Sequence, residues 1–190
     1  MARPNPAMTG PAVRPRRLAA AAALALGLAG ILYLLVRPAR APGLGSGLAV
    51  GSPAPDFTAT TLDGKPVALR QLSGRLVVLN FWGSWCPPCR EEMPYFDEAY
   101  RRYRDRGLVI LGVNLGESEV AVKAFLERVG VNFPVVIDRR GQLARLYDVV
   151  PLPTTYVIDA EGRIRARVAG MVPRQQLEAW VAQYLEADRP

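Results

Sequence analysis

The 190-residue chain contains no histidine and only two cysteines, Cys86 and Cys89. Without histidine it cannot build a Ser-His-Asp triad, a Cys-His nucleophile pair, or a His-ligated zinc or haem site. Two cysteines exclude a multi-disulfide scaffold and a single-chain four-cysteine zinc site. Acidic residues are missing from the first 50 positions, where Arg3, Arg14, Arg16, Arg17, Arg37 and Arg40 lie. The net charge of +7 is concentrated there, and the remainder carries 18 basic against 17 acidic residues. A nearly neutral remainder has no basic stripe for a phosphate backbone, which argues against a nucleic-acid partner. At 50% hydrophobic residues the chain is too apolar to be disordered.

The basic head precedes an uncharged run of 19 residues, Leu18 to Val36, interrupted only by Gly27, Gly30 and Tyr33. As a helix at ~1.5 Å per residue it spans nearly the ~30 Å of a bilayer core. It exceeds the usual ~7–15 residues of a signal-peptide core, which favours a retained signal anchor. A competing feature is Ala39-Arg40-Ala41, an A-x-A-like site whose cleavage after Ala41 would release a soluble protein. Four arginines precede the run and two come after it, so the positive-inside bias puts residues 1–17 in the cytoplasm and everything after Val36 outside it. That outer compartment tolerates disulfides. Residues 37–52 are rich in Pro, Gly and Ala and read as a flexible tether. The remaining residues, 53–190, suffice for one core.

Within that domain, Leu76–Phe81 and Leu108–Val113 are continuous apolar runs, the pattern of strands buried on both faces. Pro88–Arg106 carries Met93, Phe96, Tyr100 and Tyr103 at helical spacing, with Pro94 expected to kink it. Glu119–Val129 reads as a helix ended by Gly130, Val135–Ile137 as a short strand, and Gln142–Tyr147 as a helix. Thr155–Ile158 and Ile164–Val168 flank Asp159-Ala160-Glu161-Gly162 as a hairpin. Pro173 opens a last helix with Leu177, Trp180, Val181, Tyr184 and Leu185 on one face. The sum is an α/β fold with a central mixed sheet covered by helices on both faces.

Cys86-Pro87-Pro88-Cys89 directly follows the first buried strand and opens a helix. The helix N-terminus favours a thiolate at Cys86 over Cys89, so Cys86 would attack a substrate disulfide and Cys89 would resolve the mixed disulfide. The two prolines remove two backbone donors that would otherwise help to stabilise that thiolate. The alternatives are a static disulfide, a poor staple over so short a loop, and half of a zinc site shared between two chains. Arg90, not His, follows Cys89, so the motif is no haem-attachment site.

Trp82-Gly83-Ser84-Trp85-Cys86-Pro87-Pro88-Cys89, with Pro151-Leu152-Pro153-Thr154-Thr155 further on, resembles the thioredoxin superfamily. More narrowly it resembles the membrane-anchored ResA and TlpA group of extracytoplasmic thiol–disulfide oxidoreductases, over roughly Gly51 to Leu185. Asn80-Phe81-Trp82, Glu92-Met93-Pro94-Tyr95, Gly112 to Ser118 and Gly130 to Val136 extend the likeness. The resemblance implies a thioredoxin-like fold and a cis-proline at Pro153 that faces the disulfide and shapes a substrate groove with Leu152. It also gives Glu92 a part in tuning the thiols and moving protons. Trp82 is expected on the substrate-facing surface and Trp85 in packing. No cofactor or metal is called for. The implied client is the oxidised C-x-x-C-H pair of apocytochrome c, and the implied electron source a membrane thiol donor of the CcdA or DsbD type.

One departure stands between the cysteines, where the ResA group typically has Glu-Pro and this chain has Pro87-Pro88. Loss of that acidic residue is expected to shift the thiol pKa and the potential, so the group's strongly reducing character does not carry over with the resemblance. Other functions compete with the leading one. Reduction of copper-site cysteines in cytochrome oxidase, as in TlpA-like proteins, uses the same motifs, and a disulfide oxidant shares them. A peroxidase of the peroxiredoxin type usually has Thr or Ser three residues before its cysteine, where this chain has Gly83. A non-catalytic tethered module would hold copper poorly with two thiols and no Met or His beside them.

Overall fold

The computed structural model describes residues 48–185, and the basic head, the apolar run 18–36 and most of the tether lie outside them. In chain order the strands are β1 (Thr58–Thr60), β2 (Pro66–Ala68), β3 (Leu76–Trp82), β4 (Leu108–Asn114), β5 (Val135–Ile137), β6 (Thr154–Ile158) and β7 (Ile164–Ala169). The α-helices are α1 (Pro87–Tyr103), α2 (Glu119–Val129), α3 (Gln142–Leu146) and α4 (Arg174–Leu185). Among the described residues no helix is long and apolar enough to cross a membrane.

Every residue of β3 and β4 is buried, as their continuous apolar runs require. They pair in parallel at the centre of a five-stranded sheet ordered β5-β4-β3-β6-β7. β5 joins β4 in parallel, while β6 and β7 run antiparallel to their neighbours. Alternation along β3 sends Leu76, Val78 and Trp82 to one face and Val77, Leu79 and Phe81 to the other. The first face packs under α1, α2 and α4 through Met93, Phe96, Phe125, Leu177 and Trp180. The second packs with Phe57, Leu69, Tyr147 and Tyr156.

The elements agree with the sequence reading to within a few residues, with three additions. A hairpin of β1 and β2 precedes the sheet, its turn anchored by a bridge from Thr61 to Val136 and by the Leu62 N–H on the Val135 carbonyl at 2.7 Å. The fold also reaches back before Pro53. The Gly51 N–H donates to the Ile164 carbonyl at 2.7 Å, and the Ile164 N–H to that of Ser52 at 2.9 Å. Finally, α1 runs through the exposed Pro94 as one helix. The buried Asp97 carboxylate fixes α1 to the loop after α2, accepting from the Asn132 backbone at 2.5 Å.

Candidate active site

Four loops meet at one end of the sheet because of the strand directions. The C-terminal ends of β3, β4 and β7 and the N-terminal end of β6 all lie there. They carry residues 83–86, 115–118, 170–173 and 150–153 respectively. Since Phe81 pairs with Thr154, register sets Pro153 beside Trp82, at the point where β3 leads to the cysteines.

Cys86 and Cys89 form a disulfide with Cα atoms 5.3 Å apart. Cys86 is the N-cap of α1 in extended conformation, and its Sγ accepts the Cys89 N–H at 3.3 Å. Pro87 and Pro88 fill the first two helical positions and have no N–H, so the thiol group receives one helix-end donor where an N-cap side chain could take two. Both cysteines are buried, Cys89 at 0% and Cys86 at 3% exposed.

One helical turn inward from Cys89, Glu92 is 0% exposed. Its Oε1 accepts from Asn80 Nδ2 at 2.8 Å and its Oε2 from the Val172 N–H at 3.0 Å. Burial pushes its pKa up to about 7, against the opposing pull of the Val172 and Asn80 hydrogen bonds. Asn80 Nδ2 also donates to Thr155 Oγ1 at 3.0 Å. The Val172 carbonyl accepts from the Tyr95 hydroxyl, so α1 grips this segment by both its backbone groups. Two residues earlier the Gly170 N–H donates to the Pro153 carbonyl at 2.7 Å, which ties the same segment to the proline loop. The Leu152–Pro153 peptide is cis, Pro153 is buried, and Leu152 is half-buried against both halves of the core.

The two tryptophans exchange the places expected of them. Trp82 is 0% exposed and packs on Phe125 with ring centroids 5.2 Å apart, whereas Trp85 is 64% exposed. The reason is that β3 runs on through Trp82 and is buried on both faces, with Trp82 beside Leu76 and Val78 on the face under the helices. Trp82 therefore supports the loop from below, and Trp85 supplies the apolar surface beside Cys86. Its ring folds back so closely that a Cβ on Gly83 would lie 2.8 Å from it.

Sequence reading passes over the neighbours of Glu92 and also Glu117. The Glu117 carboxylate accepts from the Ser84 N–H at 2.7 Å, the Ser84 hydroxyl at 2.5 Å and Asn114 Nδ2 at 2.6 Å. It thereby fastens the loop that leads into Cys86. A signal exists for Asn80, the one amide in the apolar run Leu76–Trp82, since a buried amide demands partners. No comparable signal marks Glu117.

The AhpC/TSA family model matches residues 50–167. The thiol–disulfide oxidoreductase ResA of Geobacillus kaustophilus is 45% identical over 143 residues, 75% of this chain and 80% of that protein. ResA of Bacillus subtilis is 42% identical over 140 residues, 74% of this chain and 76% of its own length. A solved thiol:disulfide interchange protein of the thioredoxin family from Chlorobium tepidum is 30% identical with a TM-score of 0.66, covering 72% of this chain and 98% of that one. The chain belongs to the AhpC/TSA family and is a thiol–disulfide oxidoreductase of the ResA-like kind, with a thioredoxin-like fold and its cysteine pair at Cys86 and Cys89.

Proposed function

We propose that this oxidoreductase is tethered by residues 18–36 to the outer side of the cell membrane, with residues 1–17 in the cytoplasm, and acts there as a reductase. Its client is the oxidised C-x-x-C-H pair of apocytochrome c, reduced so that haem can attach. The Cys86 thiolate attacks one client sulfur, forming a mixed disulfide and releasing the other client sulfur as a thiolate, which takes a proton from water. Cys89 then loses its proton and attacks Cys86, which frees the second client thiol and leaves the Cys86–Cys89 disulfide. Two electrons pass to the client, and a membrane thiol donor of the CcdA or DsbD type restores the dithiol. Glu92 takes the Cys89 proton and returns it, while Pro153 and Leu152 border the groove that receives the client.

The observation that supports the direction of electron flow is the loss of the backbone donor at Pro88, the second helical residue. A disulfide is strongly oxidising when its reduced form is stabilised. Here the helix end gives the Cys86 sulfur a single N–H, so the thiolate is less stabilised and the pair leans toward reduction of its client. The client and the tether rest on the ResA resemblance and on the apolar run with its arginine asymmetry.

Two measurements test this. Equilibration of the full chain with dithiothreitol or glutathione buffers should give a potential near or below ~−270 mV; a value near ~−120 mV would make it an oxidant. A Cys89→Ser variant, unable to resolve, should accumulate mixed disulfides with apocytochrome c in membranes. Copper-site clients in their place would move the chain to the TlpA-like function, and no trapped client at all would sink both.

A further inference from the structure

Asn80 breaks an otherwise apolar row. Leu76, Val78 and Trp82 share its face of β3 and lie in the core, and Asn80 itself is 1% exposed. An apolar side chain would be the default there, because an amide withdrawn from water costs free energy unless its hydrogen bonds are made. Both N–H groups of its amide are used, one on Glu92 Oε1 at 2.8 Å and one on Thr155 Oγ1 at 3.0 Å. Thr155 is fully buried and is held by β6, two residues beyond Pro153. The amide therefore spans three elements, β3, α1 and β6, and its direction is set from the side opposite Glu92.

An amide does not titrate. It offers Glu92 a donor in either protonation state, and a donor stabilises the charged carboxylate more than the neutral acid. The Val172 N–H does the same for Oε2, so each carboxyl oxygen is fixed by one rigidly mounted donor. Along α1, Cys89 lies one turn before Glu92, and Tyr95 feels the Glu92 charge. Glu91 faces outward, and Arg174 lies over the Tyr95 ring, paired with Glu98 at 2.6 Å. Among the described residues, β3 and β6 present the Asn80 amide and the Thr155 hydroxyl, and the segment after β7 the Val172 N–H.

We propose that Asn80, braced by Thr155, is a positioning residue for thiol–disulfide exchange. It holds the Glu92 carboxyl in one orientation and favours its charged form, so that Glu92 stands ready to take the Cys89 proton. This rests on the role given to Glu92 above.

The test is the pH profile of thiol alkylation in the reduced full chain, in detergent, for wild type, Asn80→Leu, Glu92→Gln and the double variant. Wild type should show an inflection from Glu92 that Glu92→Gln abolishes. Asn80→Leu should move that inflection up by about one pH unit, a tenfold rise in proton affinity. In the Glu92→Gln background Asn80→Leu should change nothing, because it acts through Glu92. An inflection that stays in place in Asn80→Leu, or an equal effect in both backgrounds, overturns the proposal. An inflection that survives Glu92→Gln overturns the role of Glu92 itself, and this inference with it. Thr155→Val preserves side-chain volume and stands in if Asn80→Leu does not fold: it should shift the inflection in the same direction, and an unmoved profile in it counts against the proposal equally.

Discussion

The Ser84 N–H and hydroxyl both bond to the Glu117 carboxylate, at 2.7 and 2.5 Å, and so pin the chain two residues before Cys86. Burial raises the pKa of Glu117, but the hydrogen bonds from Ser84 and Asn114 outweigh it and hold the carboxyl below its ordinary 4.5. A depressed carboxyl contributes stability above its unfolded value, and that contribution disappears as pH falls through the folded one. Glu117→Ala should therefore cost about 1–3 kcal/mol at pH 7. The gap from wild type should close as the pH drops below 4.5. Thermal unfolding from pH 7 to pH 3 checks this, and a gap that does not change with pH would mean that the charge is irrelevant. The client-exchange rate of the variant at pH 7 should also fall, since its attacking loop has lost its anchor.

Glu92 titrates in the opposite sense. Its pKa rises from 4.5 unfolded to about 7 folded, because burial disfavours the charged form. Between those values the folded chain binds more protons than the unfolded one, so stability is highest below 4.5 and declines as pH rises through 7. Glu92→Gln keeps an acceptor for Asn80, sets an amide N–H against the Val172 N–H and removes the charge. It should be less stable than wild type at pH 4, by about 1–2 kcal/mol for the lost bond, and should gain on wild type between pH 4 and pH 8 by an amount on the order of 3 kcal/mol at most. Denaturant unfolding at the two pH values decides; a difference from wild type that is the same at both would show that the buried carboxylate carries no penalty. The same variant should exchange disulfides more slowly whatever its stability.

These two sites differ in how far the sequence discloses them. The cysteine pair, its helix and the strand before it are local features, written in consecutive residues. The two central strands are legible for the same reason, since runs without a polar break suit only the middle of a sheet. The β1–β2 hairpin is not, because Thr58–Thr60 and Pro66–Ala68 are three residues each and are stabilised by pairing and by the distant Val136. The partners of Glu92 lie 12 residues before it and 80 after it, so no window of sequence contains them. Trp82 is within reach of sequence reasoning: extending the buried strand one residue beyond Phe81 puts it in the core. Its closeness to the motif suggests a surface role that this burial denies.

Gly112 shows how tightly that core is closed. A Cβ at this position would lie 3.0 Å from the Phe133 ring and 3.0 Å from Trp82 Nε1. Both neighbours are buried, and Trp82 is also held by its packing on Phe125. Gly112→Ala should therefore destabilise the domain by about 1–3 kcal/mol through overpacking. That corresponds to a fall in Tm of several degrees, on the order of 4 °C per kcal/mol. Calorimetry of the oxidised chain measures it. A variant as stable as wild type would mean that the Trp82 ring has room to move, and the loop above it a softer foundation than the packing indicates.

The redox centre yields the sharpest discrimination, between two adjacent prolines. An N-cap side chain accepts hydrogen bonds from the second and third helical residues, not from the first. Cys89 is the third and already donates at 3.3 Å; Pro88 is the second and Pro87 the first. Pro88→Ala should restore a donor aimed at the Cys86 sulfur, whereas Pro87→Ala restores one aimed elsewhere. A donor stabilises the thiolate, lowers the Cys86 pKa and makes the disulfide more oxidising. At ~1 kcal/mol for one such bond the potential of Pro88→Ala should rise by roughly 20 mV. Pro87→Ala should stay close to wild type. Equilibration of each variant against dithiothreitol buffers gives the potentials, and alkylation against pH gives the Cys86 pKa, so the two must move together. Equal shifts in both variants would assign the effect to loop stiffness, and a fall in potential for Pro88→Ala would refute the proposed link between helix-end donors and the potential.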